Sequence, residues 1–75
     1  MSDFDGDVDE SHEERVRRVH DRAVAALGDA EKAKRWMAKR NRALGGLTPD
    51  SMLSTAEGAQ TVVAILVRIE HGVGG

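Results

Sequence analysis

Nine residues near the middle of the chain, Asn41-Arg42-Ala43-Leu44-Gly45-Gly46-Leu47-Thr48-Pro49, constrain how everything around them can fold. Paired glycines stop a helix, because only glycine enters the left-handed region without a steric cost. Thr48 and Pro49 then start another. Threonine caps a helix N-terminus, and proline suits the first turn, where its missing N–H would have no partner anyway. Gly45, Gly46 and Pro49 are therefore read as turn residues, with Asn41 capping backbone groups in the same turn.

Helical patterns flank this junction on both sides. Ser11 with Glu14 matches a capping box, and Val16, Val19, Ala23, Ala26 and Leu27 recur at helical spacing up to Gly28. The spacing predicts helix over 12–27. Asp29 is an N-cap for a second helix with a narrow stripe of Ala30, Ala33, Trp36 and Met37, ending near Arg40. Trp36 is the largest apolar side chain available to the core. Thr48-Pro49 opens a short third helix through about Leu53. Ser54 with Glu57, or Thr55 alone, caps a fourth that runs to about His71.

The fourth segment is the most apolar, with Ala59, Val62, Val63, Ile65, Leu66, Val67 and Ile69. Its β-branched residues also suit a strand. The capped start, the length of about 15 residues and Gly72 at the end favour helix, and no sheet partner is visible elsewhere. A helix so apolar in so small a domain cannot hide every face in its own core. Either its neighbours wrap it, or one face is an interface. The expected fold is all-α: a small four-helix domain over 11–75, preceded by a disordered acidic tail over 1–10.

Composition limits what such a domain can do. Aromatic residues make up 3% of the 75-residue chain, so the core must come from Ala, Val, Leu, Ile and Met. Stability of a few kcal/mol is expected, and a partner that binds only the folded form would add to it. Cysteine is absent, which excludes disulfides and thiolate metal sites and suits a reducing cytoplasm. No apolar run approaches the roughly 20 residues of a membrane span, and the acidic N-terminus is unlike a signal peptide. His12, His20 and His71 are scattered without a third ligand, and no nucleophile or phosphate-loop motif is present. No enzyme activity, cofactor or metal is expected.

The net charge of −2 conceals a strong segregation. Seven acids and no base lie in residues 1–14, and ten of the eleven bases lie in 15–42. Arg15, Arg17, Arg18 and Arg22 decorate the first helix, while Lys32, Lys34, Arg35, Lys39, Arg40 and Arg42 crowd the second and its end. These residues raise nucleic-acid binding as a rival function. Against it, they spread around their helices, stacking aromatics are absent, and the acidic tail could fold back on them. Two solvated faces, or a surface that steers an acidic partner, are the other readings.

Several motifs together carry a family resemblance. Ala26-Leu27-Gly28-Asp29 leads into Trp36-Met37, followed by Asn41-x-Ala-Leu-Gly-Gly-x-Thr-Pro49 and Thr55-x-Glu-Gly58-Ala59. Val62-x-x-Ile65-Leu66-x-Arg68-Ile69-Glu70-His71-Gly72-Val73 closes the series. Over about Val24–Val73 the chain resembles the toxin-binding domain of the Xre/ParS/MbcA antitoxins. The resemblance implies a partner with a RES-type toxin fold, which hydrolyses or phosphorolyses NAD or uses it to ADP-ribosylate a target. It implies inhibition by covering the active-site entrance, with the antitoxin's C-terminal end projecting toward the NAD pocket. The implied toxin-binding residues are Arg68, His71, Gly72, Val73, Gly74 and Gly75, in a hetero-oligomer with the toxin.

Three departures qualify that picture. Arg40 stands where members commonly carry proline, and Gly74-Gly75 stand where many have a bulky or aromatic residue. The 23 residues before Val24 are too few for a helix-turn-helix domain, so DNA binding through such a module is not expected. A same-fold adaptor with a different client is the remaining alternative.

Overall fold

A computed structural model of the chain describes residues 10–72, and among these the regular structure is entirely helical. Helix α1 spans His12–Leu27. Its start is the reciprocal capping box: Glu14 N–H donates to Ser11 Oγ (3.1 Å), and Ser11 N–H donates to Glu14 Oε1 (3.3 Å). Gly28 ends it at φ 77°, with its N–H reaching the Val24 carbonyl at 2.7 Å. Helix α2 spans Ala30–Ala38, capped by Asp29 Oδ2, which accepts from Lys32 N–H at 3.3 Å.

Helix α2 stops two residues before the Arg40 expected from its pattern. Lys39 is already extended at φ −98°, ψ 145°, because the chain must leave the helix to build the next turn. There, Asn41 N–H donates to the Leu47 carbonyl (2.9 Å), an isolated antiparallel bridge that closes the loop on itself. A short 3-10 turn, η1 (Arg42–Leu44), lies inside it and buries Leu44. Gly45 and Gly46 follow at φ 69° and 90°.

The expected third α-helix is instead a second 3-10 turn, η2 (Asp50–Ser54). Its bonds run from Ser51 N–H to the Thr48 carbonyl and from Met52 N–H to the Pro49 carbonyl, each 3.0 Å. The segment is too short to gain from α-type bonds before Thr55 turns extended at φ −128°, ψ 156°. Three α-helices and two 3-10 turns thus stand where four helices were expected. Helix α3 spans Ala56–Gly72. Of the two proposed caps Thr55 does the work, its Oγ1 accepting from Gly58 N–H at 2.9 Å. Gly72 remains helical, as the last residue of α3.

Helix α1 is the keel of the molecule. Helices α2 and α3 both pack on it, as does η2, whereas α2 hardly touches α3. Val19 and Ala23 of α1, Ala33 and Met37 of α2, Leu53 of η2, and Ala59, Val62 and Leu66 of α3 form the buried centre. The alanines keep the helices close, and Met37, the largest fully buried side chain, fills the space between them. Trp36 is only half-buried, at the margin of this core. Residues 1–9 of the expected disordered tail over 1–10 lie outside the described residues. Glu10 belongs to the fold: both its carboxylate oxygens accept from Arg18, at 2.8 and 3.1 Å.

Candidate functional site

Helix α3 changes character along its length. Its first half is locked in place. Gly58 sits directly under η2, where a Cβ would overlap the Met52 carbonyl oxygen and lie 3.1 Å from Thr55 Oγ1. Only glycine lets α3 start this close to η2, which then allows Ala59, Val62 and Leu66 to reach α1. Val63, Ile65, Val67 and Ile69 flank this seam half-buried, so the neighbours wrap the helix incompletely.

The last turn is held from one side and open on the other. Glu70 turns back toward α1, its Oε1 3.4 Å from the Arg22 guanidinium. Arg68, His71 and Gly72 are exposed, and positions three and four apart on a helix share a face. This face therefore points away from the Glu70–Arg22 tether. Arg68 and His71 make no hydrogen bond or ion pair among the described residues. Both are also well placed against the negative end of the helix dipole. Val73, Gly74 and Gly75 lie outside the described residues.

The turn residues occupy the other end of the domain's sequence motif. Asn41 Oδ1 accepts from Ala43 N–H at 2.9 Å, while its carbonyl accepts from Leu44 N–H (2.9 Å) and Gly46 N–H (3.0 Å). Pro49 is fully buried at φ −55°. These four positions, Asn41, Gly45, Gly46 and Pro49, shape the approach from α2 to η2. Leu47, 53% exposed beside them, is the most exposed large apolar residue described.

Polar ties elsewhere centre on α1. Arg15 donates from a terminal guanidinium nitrogen to the Leu53 carbonyl at 3.2 Å, closing the end of η2. Its Nε is buried without a hydrogen-bond partner, with Glu10 Oε1 3.7 Å away. His20 Nε2 lies 3.0 Å from Asp50 Oδ1 and links α1 to the start of η2. The hydrogen bonds from Arg18, aided by the charges of Arg18 and Arg15, hold the Glu10 carboxyl below the usual carboxylate range. The same pair raises Arg18 above its ordinary value. Sequence reading placed Arg15 and Arg18 on a basic face, solvated or turned to nucleic acid or an acidic partner, and gave Gly58 no role. A buried-helix glycine one turn after a cap was the available signal for the latter.

A shallow groove of about 440 Å³ runs between α1 and α3, lined by Arg18, Asp21, Arg22, Ala25 and Val63. It brings together no nucleophile–base pair. Among the described residues no three His, Asp or Glu side chains converge as a metal site, and no helix is long and apolar enough to cross a membrane.

The arrangement is a helical scaffold whose last helix ends in an open face, and comparison with known proteins gives it a family. Residues 22–72 match the antitoxin Xre/MbcA/ParS C-terminal toxin-binding domain. The chain belongs to this family. The match begins at Arg22, one end of the tether that fixes the last turn of α3, and ends at Gly72, two residues beyond the tether's other end at Glu70. Curated proteins named antitoxin Xre are similar. One from Photorhabdus laumondii is 48% identical over 60 residues, covering 79% of this chain and 40% of the relative. One from Pseudomonas putida is 42% identical over 69 residues, covering 89% and 43%. One from Yersinia enterocolitica is 45% identical over 60 residues, covering 79% and 40%. The chain thus spans about two fifths of the length of these relatives. No solved structure matches it significantly.

Proposed function

We propose that the chain is the inhibitory part of a toxin–antitoxin pair and that its client is a RES-type, NAD-consuming toxin in the cytoplasm. The observation that carries this is the end of α3. The family match runs to Gly72, and the helix ends in an exposed face of Arg68, His71 and Gly72 that the fold itself does not use. The chain supplies no chemistry. It binds over the entrance to the toxin's active site and excludes NAD.

In this reading Arg68 and His71 contact the rim of the entrance, and Gly72–Gly75 extend beyond it. Four extended residues span about 13 Å, enough to enter a pocket without threading through it. The half-buried apolar flank of α3 (Val67 and Ile69) adds area around these polar contacts. A heteromeric assembly follows from the role.

The test is co-purification with the RES-type toxin encoded nearest the gene, followed by NAD depletion with and without residues 72–75. Full-length protein should bind and stop NAD loss, and the truncated form should bind and stop it less. Equal inhibition by both forms would assign the block to α3 and its neighbours and remove the tail from the mechanism. Absence of binding would refute the antitoxin reading and leave a same-fold adaptor with another client.

A further inference from the structure

Acidic and basic side chains are distributed unequally over the fold. Every charged-pair contact among the described residues goes to α1: Glu10 to the cations Arg15 and Arg18, Glu70 to Arg22, and Asp50 to the His20 ring nitrogen. Among the described residues the cations of α2 and η1 have none. Lys32, Lys34, Arg35, Lys39, Arg40 and Arg42 are all exposed, and within 32–42 no acid interrupts them. Six positive charges in eleven residues repel one another unless an anion covers them. Glu10 does not relieve them, because it is held against α1 by two hydrogen bonds.

This surface is also separate from the proposed toxin-binding end. Helix α2 packs on α1 and hardly touches α3. Its chemistry is unlike that of a protein-binding patch, whose core needs apolar and aromatic anchors. Ala33 and Met37 are buried, so the face offers cations with small alanines, the margin of Trp36 and the neighbouring Leu47 as apolar surface. Single-stranded nucleic acid is held mainly by stacking on aromatic side chains. One half-buried tryptophan is a poor platform for that. A duplex backbone requires only positioned cations.

We propose that the α2–η1 surface binds the phosphate backbone of duplex DNA without reading sequence. The contact needs no helix-turn-helix module, because nothing enters a groove. It leaves the end of α3 accessible, so DNA and the toxin are compatible occupants.

Fluorescence anisotropy with a short labelled duplex of mixed sequence tests this on the full chain. Binding should appear at low salt and weaken roughly 100-fold between about 50 and 200 mM, the slope of about four neutralised phosphates. Arg35→Glu should weaken it about 5-fold or more, whereas Arg17→Glu, an equal charge change on α1, should alter it by less than about 2-fold. The triple variant Lys32→Glu/Arg35→Glu/Lys39→Glu should abolish it, with helicity checked by circular dichroism. Should the triple variant unfold, the two single reversals decide. No anisotropy change at the lowest salt overturns the proposal. Equal losses from Arg35→Glu and Arg17→Glu overturn it as well, since net charge alone would then be responsible. So does a result in which the α2 reversals slow toxin capture while the wild-type chain ignores duplex.

Discussion

The two halves of α3 are built from similar residues and do different jobs. From Gly58 to Leu66 the helix is fastened to η2 and α1, with Gly58, Ala59, Val62 and Leu66 buried. From Val67 to Gly72 it is fastened only by Ile69 and the Glu70–Arg22 contact, and Arg68, His71 and Gly72 face solvent. Hydropathy alone does not separate them, because Val and Ile occur in both. The neighbours separate them: η2 lies against the start of the first half at Gly58, whereas the second half is tied to α1 at Arg22. A domain with so small a core keeps its stability in one half of the helix and leaves the other more open, the half that the proposed function assigns to the partner.

Substitutions can break this contrast at either end, and the largest effect belongs to the buried half. Leu66→Ala removes a fully buried side chain and should cost about 3 kcal/mol, within the usual range for such cavities. In a domain with a few kcal/mol in hand that change leaves much of the chain unfolded, read as loss of a cooperative thermal transition. Gly58→Ala is the sharper test, because two effects oppose each other. Helix propensity favours alanine by about 1 kcal/mol. The overlap with the Met52 carbonyl, which is backbone and cannot swing aside, costs more, so a net loss of about 2 kcal/mol is expected in urea unfolding. A stabilised Gly58→Ala protein would show that η2 does not hold the start of α3.

Smaller effects lie away from α3. Gly46→Ala places a Cβ at φ 90°, where space is open but the conformation is strained, and should cost about 1 kcal/mol. Glu10→Gln should have the smallest effect, and its sign depends on pH. The Glu10 carboxyl is held below its ordinary value in the folded chain, so its contribution is present above the usual carboxylate range and disappears as pH falls through the lowered value. The wild type should therefore melt slightly above Glu10→Gln at pH 7, and the two should converge in acid.

The local parts of this fold were legible in the sequence. Ser11 with Glu14, Gly28, Asp29, and Asn41 with Gly45-Gly46 each act on backbone groups within a few residues, so residue type and spacing suffice to read them. Long-range features were not. Arg15 reaches a carbonyl 38 residues away, and Gly58 is required by a 3-10 turn that itself replaced the expected helix. Pro49 marked a start correctly but said nothing about pitch, which depends on how soon Thr55 leaves helical geometry. The candidate site was readable as the end of an apolar helix, whereas the distinction between Glu70, tied to α1, and Arg68 and His71, left open, depends on where Arg22 sits.

Division of labour within α3 is tested most directly by Arg68→Glu/His71→Glu, measured for toxin affinity by calorimetry and for melting temperature in the same preparation. Exposed positions without partners in the fold should shift stability by no more than about 0.5 kcal/mol. The affinity should fall at least about 10-fold, since one positive charge at the rim is reversed and a second negative charge is placed beside it. Unchanged affinity at unchanged melting temperature would contradict the account, because the open face of α3 would then not be where the toxin binds.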